Sequence, residues 1–141
     1  KFTFVSDRKQ EKSDFHFPLL RLPDIMLIYA EAVNELNAGP DAEAYRQINR
    51  IRTRANATPF SGMNQDEFRS AVLEERAREL AYEADRRYDL FRWGVYLDVM
   101  NAIDMDEHNV TKRRLERNLL YPIPTSEVNS NDKIDVNNPG W

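Results

Sequence analysis

Between Leu22 and Ala57 the apolar residues recur at spacings of three and four, and one break, Asn-Ala-Gly-Pro at residues 37–40, interrupts them. No other feature restricts the fold as tightly. That period suits a helix with one face turned inward, and so short an interruption brings a second helix back against the first. Pro23 suits the first helical turn and Asp24 complements the helix dipole. Ile25, Ile28, Tyr29, Ala32 and Leu36 form the expected inward stripe. Gly39 is available for a left-handed cap, and Pro40 cannot continue the helix. A second helix follows from Asp41 with a stripe of Tyr45, Ile48, Ile51 or Arg52, and Ala55, and Pro59 with Gly62 closes it. The spacing predicts a helical hairpin over about 24–57.

Downstream, Asn64 to Glu67 reads NQDE, a helix-capping residue with a glutamate three positions on. Phe68, Val72 with Leu73, Ala77, Leu80, Ala81 and Ala84 continue as the stripe of a long third helix. The following stretch YEADRRYDLFRWG, Tyr82 to Gly94, carries two stripes, Tyr88–Phe91–Val95 and Leu90–Trp93–Leu97–Met100, so a segment buried on two sides is expected through about residue 100. Elsewhere the pattern is not helical. KFTFV at the start and FHF at Phe15 to Phe17 have the alternation of short strands, and the polar SDRKQEKSD between them reads as a loop. Asn101 to Asn118 reads as a loop with a turn of helix. The tail from about residue 119 to 141, with prolines at 122, 124 and 139, is expected to be irregular and to pack through Leu119, Leu120, Tyr121, Ile123 and Trp141. The fold class is mostly α, in a single domain over 1–141: a hairpin of tetratricopeptide type, long helices over about 64–100, short extended segments at the N-terminus and an irregular tail.

Composition removes several functions. A net charge of −4 and the local balance of Arg86, Arg87 and Arg92 by Glu83, Asp85 and Asp89 offer a nucleic acid no attractive field. The absence of cysteine excludes disulfides, thiolate metal sites and cysteine nucleophiles. His16 and His108 stand alone, and the acidic run Ile103 to His108 lacks the spacing and glycine of a calcium loop. No phosphate loop, dinucleotide fingerprint or GxSxG occurs, so no cofactor or metal is expected. No apolar run reaches the roughly 18–20 residues of a membrane span. The chain opens on Lys1, and a processed protein or a fragment of a longer one is expected, with any targeting segment and lipid anchor upstream.

Two chemical readings need weighing. Glu75, Glu79 and Glu83 lie four apart on one helix face, as a glycosidase pair could, but Arg76, Arg78, Arg86 and Arg87 are close enough to lace them into structural ion pairs, and that reading is favoured. Aromatic platforms bordered by polar groups bind sugar faces. Here Tyr88, Phe91 and Trp93 are expected in the core, which leaves Tyr96 and Trp141 as the freer aromatics and the candidate ligand contacts.

Four stretches in order, RLPDIMLIYAEAVNEL (Arg21 to Leu36), INRIRTRA (Ile48 to Ala55), LEERARELAYEADRRYDLFRWG (Leu73 to Gly94) and YPIPTSEVNSNDKIDVNNPGW (Tyr121 to Trp141), resemble the C-terminal region of the SusD/RagB family. The resemblance implies a surface-exposed outer-membrane lipoprotein, not an enzyme, that binds glycans or other nutrients and caps a SusC-like TonB-dependent transporter. It implies a scaffold of tetratricopeptide-like hairpins, although the usual tryptophan of that repeat is missing and only Ala32, Ala44 and Ile48 fall at its small or apolar positions. It further implies that the YEADRRYDLFRWG stretch is an internal packing element. Arg76, Glu79, Arg86 and Asp89 would form a fixing polar network, and Arg21, Glu31, Arg52 and Trp93 would be structural. Ala84 stands where the family commonly has glycine. The chain would be the C-terminal portion of a longer binding protein and mainly scaffold; a helical module that binds a partner's peptide without sugar is the alternative.

Overall fold

Residues 19–83, 85–103 and 113–141 are described by the computed structural model. The proposed N-terminal strands, His16, Ala84, the run 104–108 with His108, and half of the 101–118 loop lie outside them. The described residues are helical and fall into two compact units that part between Phe68 and Arg69. No described helix is long and apolar enough to cross a membrane.

The first unit contains the predicted hairpin. Helix α1, Leu22–Leu36, carries Pro23 in its first turn, and α2, Ala42–Arg54, is capped by the Asp41 carboxylate, which accepts from the Ala44 N–H at 2.8 Å. The turn between them differs from expectation in one residue. Ala38, at φ 53°, takes the left-handed position, and the Gly39 N–H then reaches the Asn34 carbonyl at 2.9 Å to close the helix end. The buried face of α1 is also rotated from the expected one. Pro23, Met26, Leu27, Ala30 and Asn34 point inward, while Ile25, Ile28, Tyr29, Ala32 and Leu36 are exposed. Helix α1 is apolar on two adjoining faces, so periodicity marks it as a helix without selecting the side that meets α2. From α2, Ala44, Ile48 and Ile51 fill the same core with Phe68.

Three polar residues on α2 hold down the returning loop. The Tyr45 hydroxyl accepts from the Met63 N–H at 2.7 Å, and Asn49 exchanges two bonds with Phe60, accepting its N–H at 2.7 Å and donating to its carbonyl at 2.9 Å. Arg52 Nε donates to the Thr58 carbonyl at 2.6 Å with its guanidinium 3.7 Å from the Phe60 ring centre. Helix α3, Gln65–Glu79, opens with a reciprocal capping box: the Glu67 N–H donates to Asn64 Oδ1 at 3.0 Å, and the Asn64 N–H to Glu67 Oε2 at 2.9 Å.

The long helices expected over about 64–100 are three separate helices. After α3 the chain turns through Tyr82 at φ 66°, restarts as α4, Arg86–Arg92, turns again at Gly94 at φ 69°, and continues as α5, Tyr96–Asn101. The turn at Gly94 closes like the one at Ala38, with the Val95 N–H on the Leu90 carbonyl at 3.0 Å. Each break resets the helical phase, which is why the stripes drawn across a continuous helix misplace side chains. Tyr88 is exposed, Phe91 and Trp93 are partly buried, and Tyr96 turns inward.

The tail also departs from expectation. It contains a short 3₁₀ turn at Glu116–Leu119 and a helix α6, Thr125–Ser130, and Leu119, Leu120, Tyr121 and Trp141 are exposed while Ile123 is partly buried. Backbone-directed bonds hold it. Asn137 pairs with Ile123, accepting its N–H at 2.8 Å and donating to its carbonyl at 3.0 Å, and Asn138 Nδ2 donates to the Tyr121 carbonyl at 2.6 Å.

Candidate functional site

The second unit gathers most of the residues singled out by the sequence, around a polar core that the apolar stripe of α3 does not foretell. Beyond Val72 the inward face of α3 becomes charged, and Glu75, Arg76 and Glu79 are all buried. A buried charge needs a partner. Arg76 Nε donates to Asp89 Oδ2 of α4 at 2.7 Å with both side chains only 6% exposed, and Arg92 Nη2 donates to the other carboxylate oxygen at 3.1 Å. Arg86, at the start of α4, donates to the Leu73 carbonyl at 3.1 Å. The arginines and Asp89 therefore fasten α4 across the second half of α3.

Glu75, one of the proposed catalytic carboxylates, is buried 3.6 Å from Arg78. Glu79 is buried as well, and Glu83 lies beyond the end of α3, in the turn that contains Tyr82. The helix that would have kept all three on one face stops at Glu79. Among the described residues no group of three His, Asp or Glu is arranged to hold a metal ion.

Next to this core lies an aromatic cluster. Phe91 and Tyr96 stack at 4.3 Å between ring centres, and the Arg87 guanidinium sits 5.0 Å from Phe91, 5.9 Å from Tyr96 and 4.5 Å from Tyr121. The expected freedom of Tyr96 is corrected here: it is 7% exposed, because the turn at Gly94 restarts the helix with Tyr96 directed onto Phe91. Trp141 is 48% exposed, but its indole N–H donates to the carbonyls of Arg117 at 2.9 Å and Leu120 at 3.2 Å, and the Arg117 guanidinium covers its ring at 5.3 Å. Trp141 is an anchored clasp with one face open to solvent.

A groove of about 460 Å³ opens at the end of α4, lined by Phe91, Gly94, Tyr96, Leu97, Asp98, Glu116 and Leu119. Such a volume lies within the range of small-molecule sites. Asp98 and Glu116 make no side-chain ion pair or hydrogen bond with another described residue, in contrast to the tightly engaged Asp89. Sequence reading missed the groove, because Gly94 and the tail jointly create it from residues far apart in the chain.

The remaining candidates are spread over both units. Trp93 is partly buried beside Arg92, whose guanidinium lies 5.3 Å from its ring. In the first unit Arg52 holds the loop after α2, the Arg21 carbonyl accepts the Asp24 N–H at 3.0 Å at the start of α1, and Glu31 is partly buried on α1. A residue with no sequence signal joins them. Asn34 is fully buried, its Nδ2 donating to the Gln65 carbonyl and to Glu35 Oε1, both at 3.0 Å, while Gln65 Nε2 returns a bond to the Asn34 carbonyl at 3.2 Å.

Comparison with known proteins gives this arrangement a lineage. The SusD family model matches residues 2–141. A SusD-like protein of Formosa agariphila is 39% identical over 130 residues, which cover 87% of this chain and 24% of that protein. The starch-binding protein SusD of Bacteroides thetaiotaomicron is 34% identical over 127 residues, 88% of this chain and 21% of that one. Among solved structures, a SusD homolog from Bacteroides thetaiotaomicron superposes with a TM-score of 0.73 at 33% identity, over 86% of this chain and 26% of its own. A SusD superfamily protein from Parabacteroides distasonis gives 0.75 at 30%, over 92% and 28%. The chain thus spans about a quarter of the length of the relatives it matches.

Proposed function

We propose, from the premise that this chain belongs to the SusD family, that it is the scaffold portion of a non-catalytic glycan-binding protein of an outer-membrane polysaccharide uptake system. The observation that carries the reading is the use made of the charged residues around the YEADRRYDLFRWG stretch. Arg76 with Asp89 and Arg86 with the Leu73 carbonyl fasten α3 to α4, and Arg92 holds the same Asp89 carboxylate from within α4. A catalytic carboxylate pair needs access to substrate and a set separation. Glu75 and Glu79 are buried, which supports a structural role. The starch-binding relative supports a glycan as the ligand of the whole protein.

In this reading the protein sits at the cell surface on an upstream lipid anchor and delivers oligosaccharide to a SusC-like TonB-dependent transporter. The residues 1–141 act as one domain. Arg21, Glu31, Arg52, Arg76, Glu79, Arg86, Asp89 and Trp93 maintain its shape, while Trp141, through its exposed ring, and Tyr96, through the groove that it lines, are the candidate ligand contacts. Cells displaying the whole protein are expected to retain labelled polysaccharide, to lose it when the gene is deleted, and to release no reducing ends attributable to it. The transporter is expected to co-purify with it. Hydrolysis that disappears when Glu75, Glu79 and Glu83 are changed to glutamine would sink the non-catalytic reading.

A further inference from the structure

Two exposed rings of the tail each carry a guanidinium that no described carboxylate engages. Arg87, exposed on α4, lies 4.5 Å from the Tyr121 ring centre as well as against Phe91 and Tyr96, and Tyr121 is 60% exposed. Arg117 lies 5.3 Å from the Trp141 ring centre, with Nη1 donating to the Gly140 carbonyl at 3.3 Å. The two pairs are neighbours. Trp141 Nε1 bonds the carbonyl of Leu120, the residue before Tyr121, and Asn138 bonds the Tyr121 carbonyl from the segment that ends at Trp141. These bonds use backbone groups and the indole N–H, so they fix the segment without covering the open ring faces. Arg76, Arg78 and Arg92 of the same unit engage carboxylates, whereas Arg87 and Arg117 form no ion pair with a described residue. A guanidinium lying on a ring keeps its N–H edge, and that planar fork matches a carboxylate in two parallel bonds. Over its length the tail is electrically balanced, Arg113, Arg114, Arg117 and Lys133 against Glu116, Glu127, Asp132 and Asp135, and Asp98 offsets Arg87. Attraction therefore comes from the oriented guanidinium edges and not from a net field, which favours a ligand that presents an anion and a ring face together.

We propose that the Arg87–Tyr121 and Arg117–Trp141 pairs are subsites for uronate residues of an acidic saccharide. The aromatic ring takes the CH-rich face of the pyranose, and the guanidinium beside it takes the sugar carboxylate. The inference rests on the glycan-binding reading above and names the sugar class and the contacts that the reading leaves open.

The test is calorimetric titration of the full chain with a galacturonic acid hexamer, its fully methyl-esterified counterpart and a glutamate hexapeptide. The acid hexamer is expected to bind saturably and about tenfold tighter than the ester, as a charge-assisted hydrogen bond implies, with no binding of the peptide. Arg87→Gln with Arg117→Gln is expected to lose at least that factor, whereas Arg113→Gln with Arg114→Gln, which removes the same charge from the same region, leaves affinity nearly unchanged. A glutamine does not hold the rings as a cation does, so Arg87→Lys with Arg117→Lys is the second variant. It keeps both cations but not the forks, and affinity is expected to fall about tenfold while unchanged indole emission shows the Trp141 clasp in place. Equal binding of acid and ester, equal losses in the two glutamine variants, or undiminished binding in the lysine variant overturns the subsites and leaves the glycan-binding reading intact. Binding of the glutamate peptide as tight as that of the acid hexamer overturns them in favour of an acidic protein partner. Failure of the folded chain to bind any probe also overturns them, while polysaccharide retention by the whole protein would keep the broader reading standing.

Discussion

Two arginines from two helices converge on the buried Asp89 carboxylate. Removing one member of a buried pair strands the other, at a cost of about 3–5 kcal/mol, whereas replacing both with apolar groups of similar size is close to neutral. Asp89→Ala is therefore expected to lower stability by about that amount in urea unfolding, and Arg76→Met with Asp89→Leu together by much less. Equal losses in the single and double variants would show that the pair is not what fastens α4. Gly140 poses a steric case. At φ 87°, an added Cβ would lie 2.8 Å from Arg117 Cβ, beneath the Trp141 clasp. Gly140→Ala is expected to cost about 1–3 kcal/mol, read as faster hydrogen exchange across residues 117–123. Trp93 is the opposite lesson. A fully buried tryptophan truncated to alanine loses about 3–5 kcal/mol, but partial burial beside Arg92 puts Trp93→Ala below that range.

At the scale of elements, the breaks matter more than the helices. Tyr82 is 89% exposed and left-handed, so its side chain gains little from burial while its backbone bears the strain that glycine avoids. Tyr82→Gly is expected to raise stability by about 1 kcal/mol, seen as a higher midpoint of thermal unfolding; a lowered midpoint would mean that the ring has a contact worth more than the strain. The apolar stripes ran straight through both turns, and neither Tyr82 nor Gly94 was read as a break. The capping box at Asn64 and Glu67 was legible because it is local: four consecutive residues contain both bonds. The face of α1 was not legible, since only the position of α2 decides between two apolar sides of one helix.

For the whole molecule, two compact units share the helix α3, whose residues lie on both sides of the boundary between Phe68 and Arg69. A chain of 141 residues lies in the size range in which a single domain unfolds all or none. One cooperative transition is expected, with fluorescence and circular dichroism coincident; two separated transitions would sink the single-domain proposal.

Several determinations needed nothing beyond the sequence: the helical class, the hairpin with its second helix following from Asp41, the start of α3 and the family, all written in local spacing or in ordered motifs. The pairing of Arg76 with Asp89 was indicated by residue type and by family resemblance, but its depth was not. Only the tertiary structure decided that Tyr96 faces inward and Tyr88 outward, that the α3 stripe turns from apolar to charged, and that Asp98 and Glu116 share a groove. The reason is physical. Local order depends on the few bonds within a turn, whereas burial and site geometry depend on where two left-handed residues redirect the chain and on which distant segment returns to meet it.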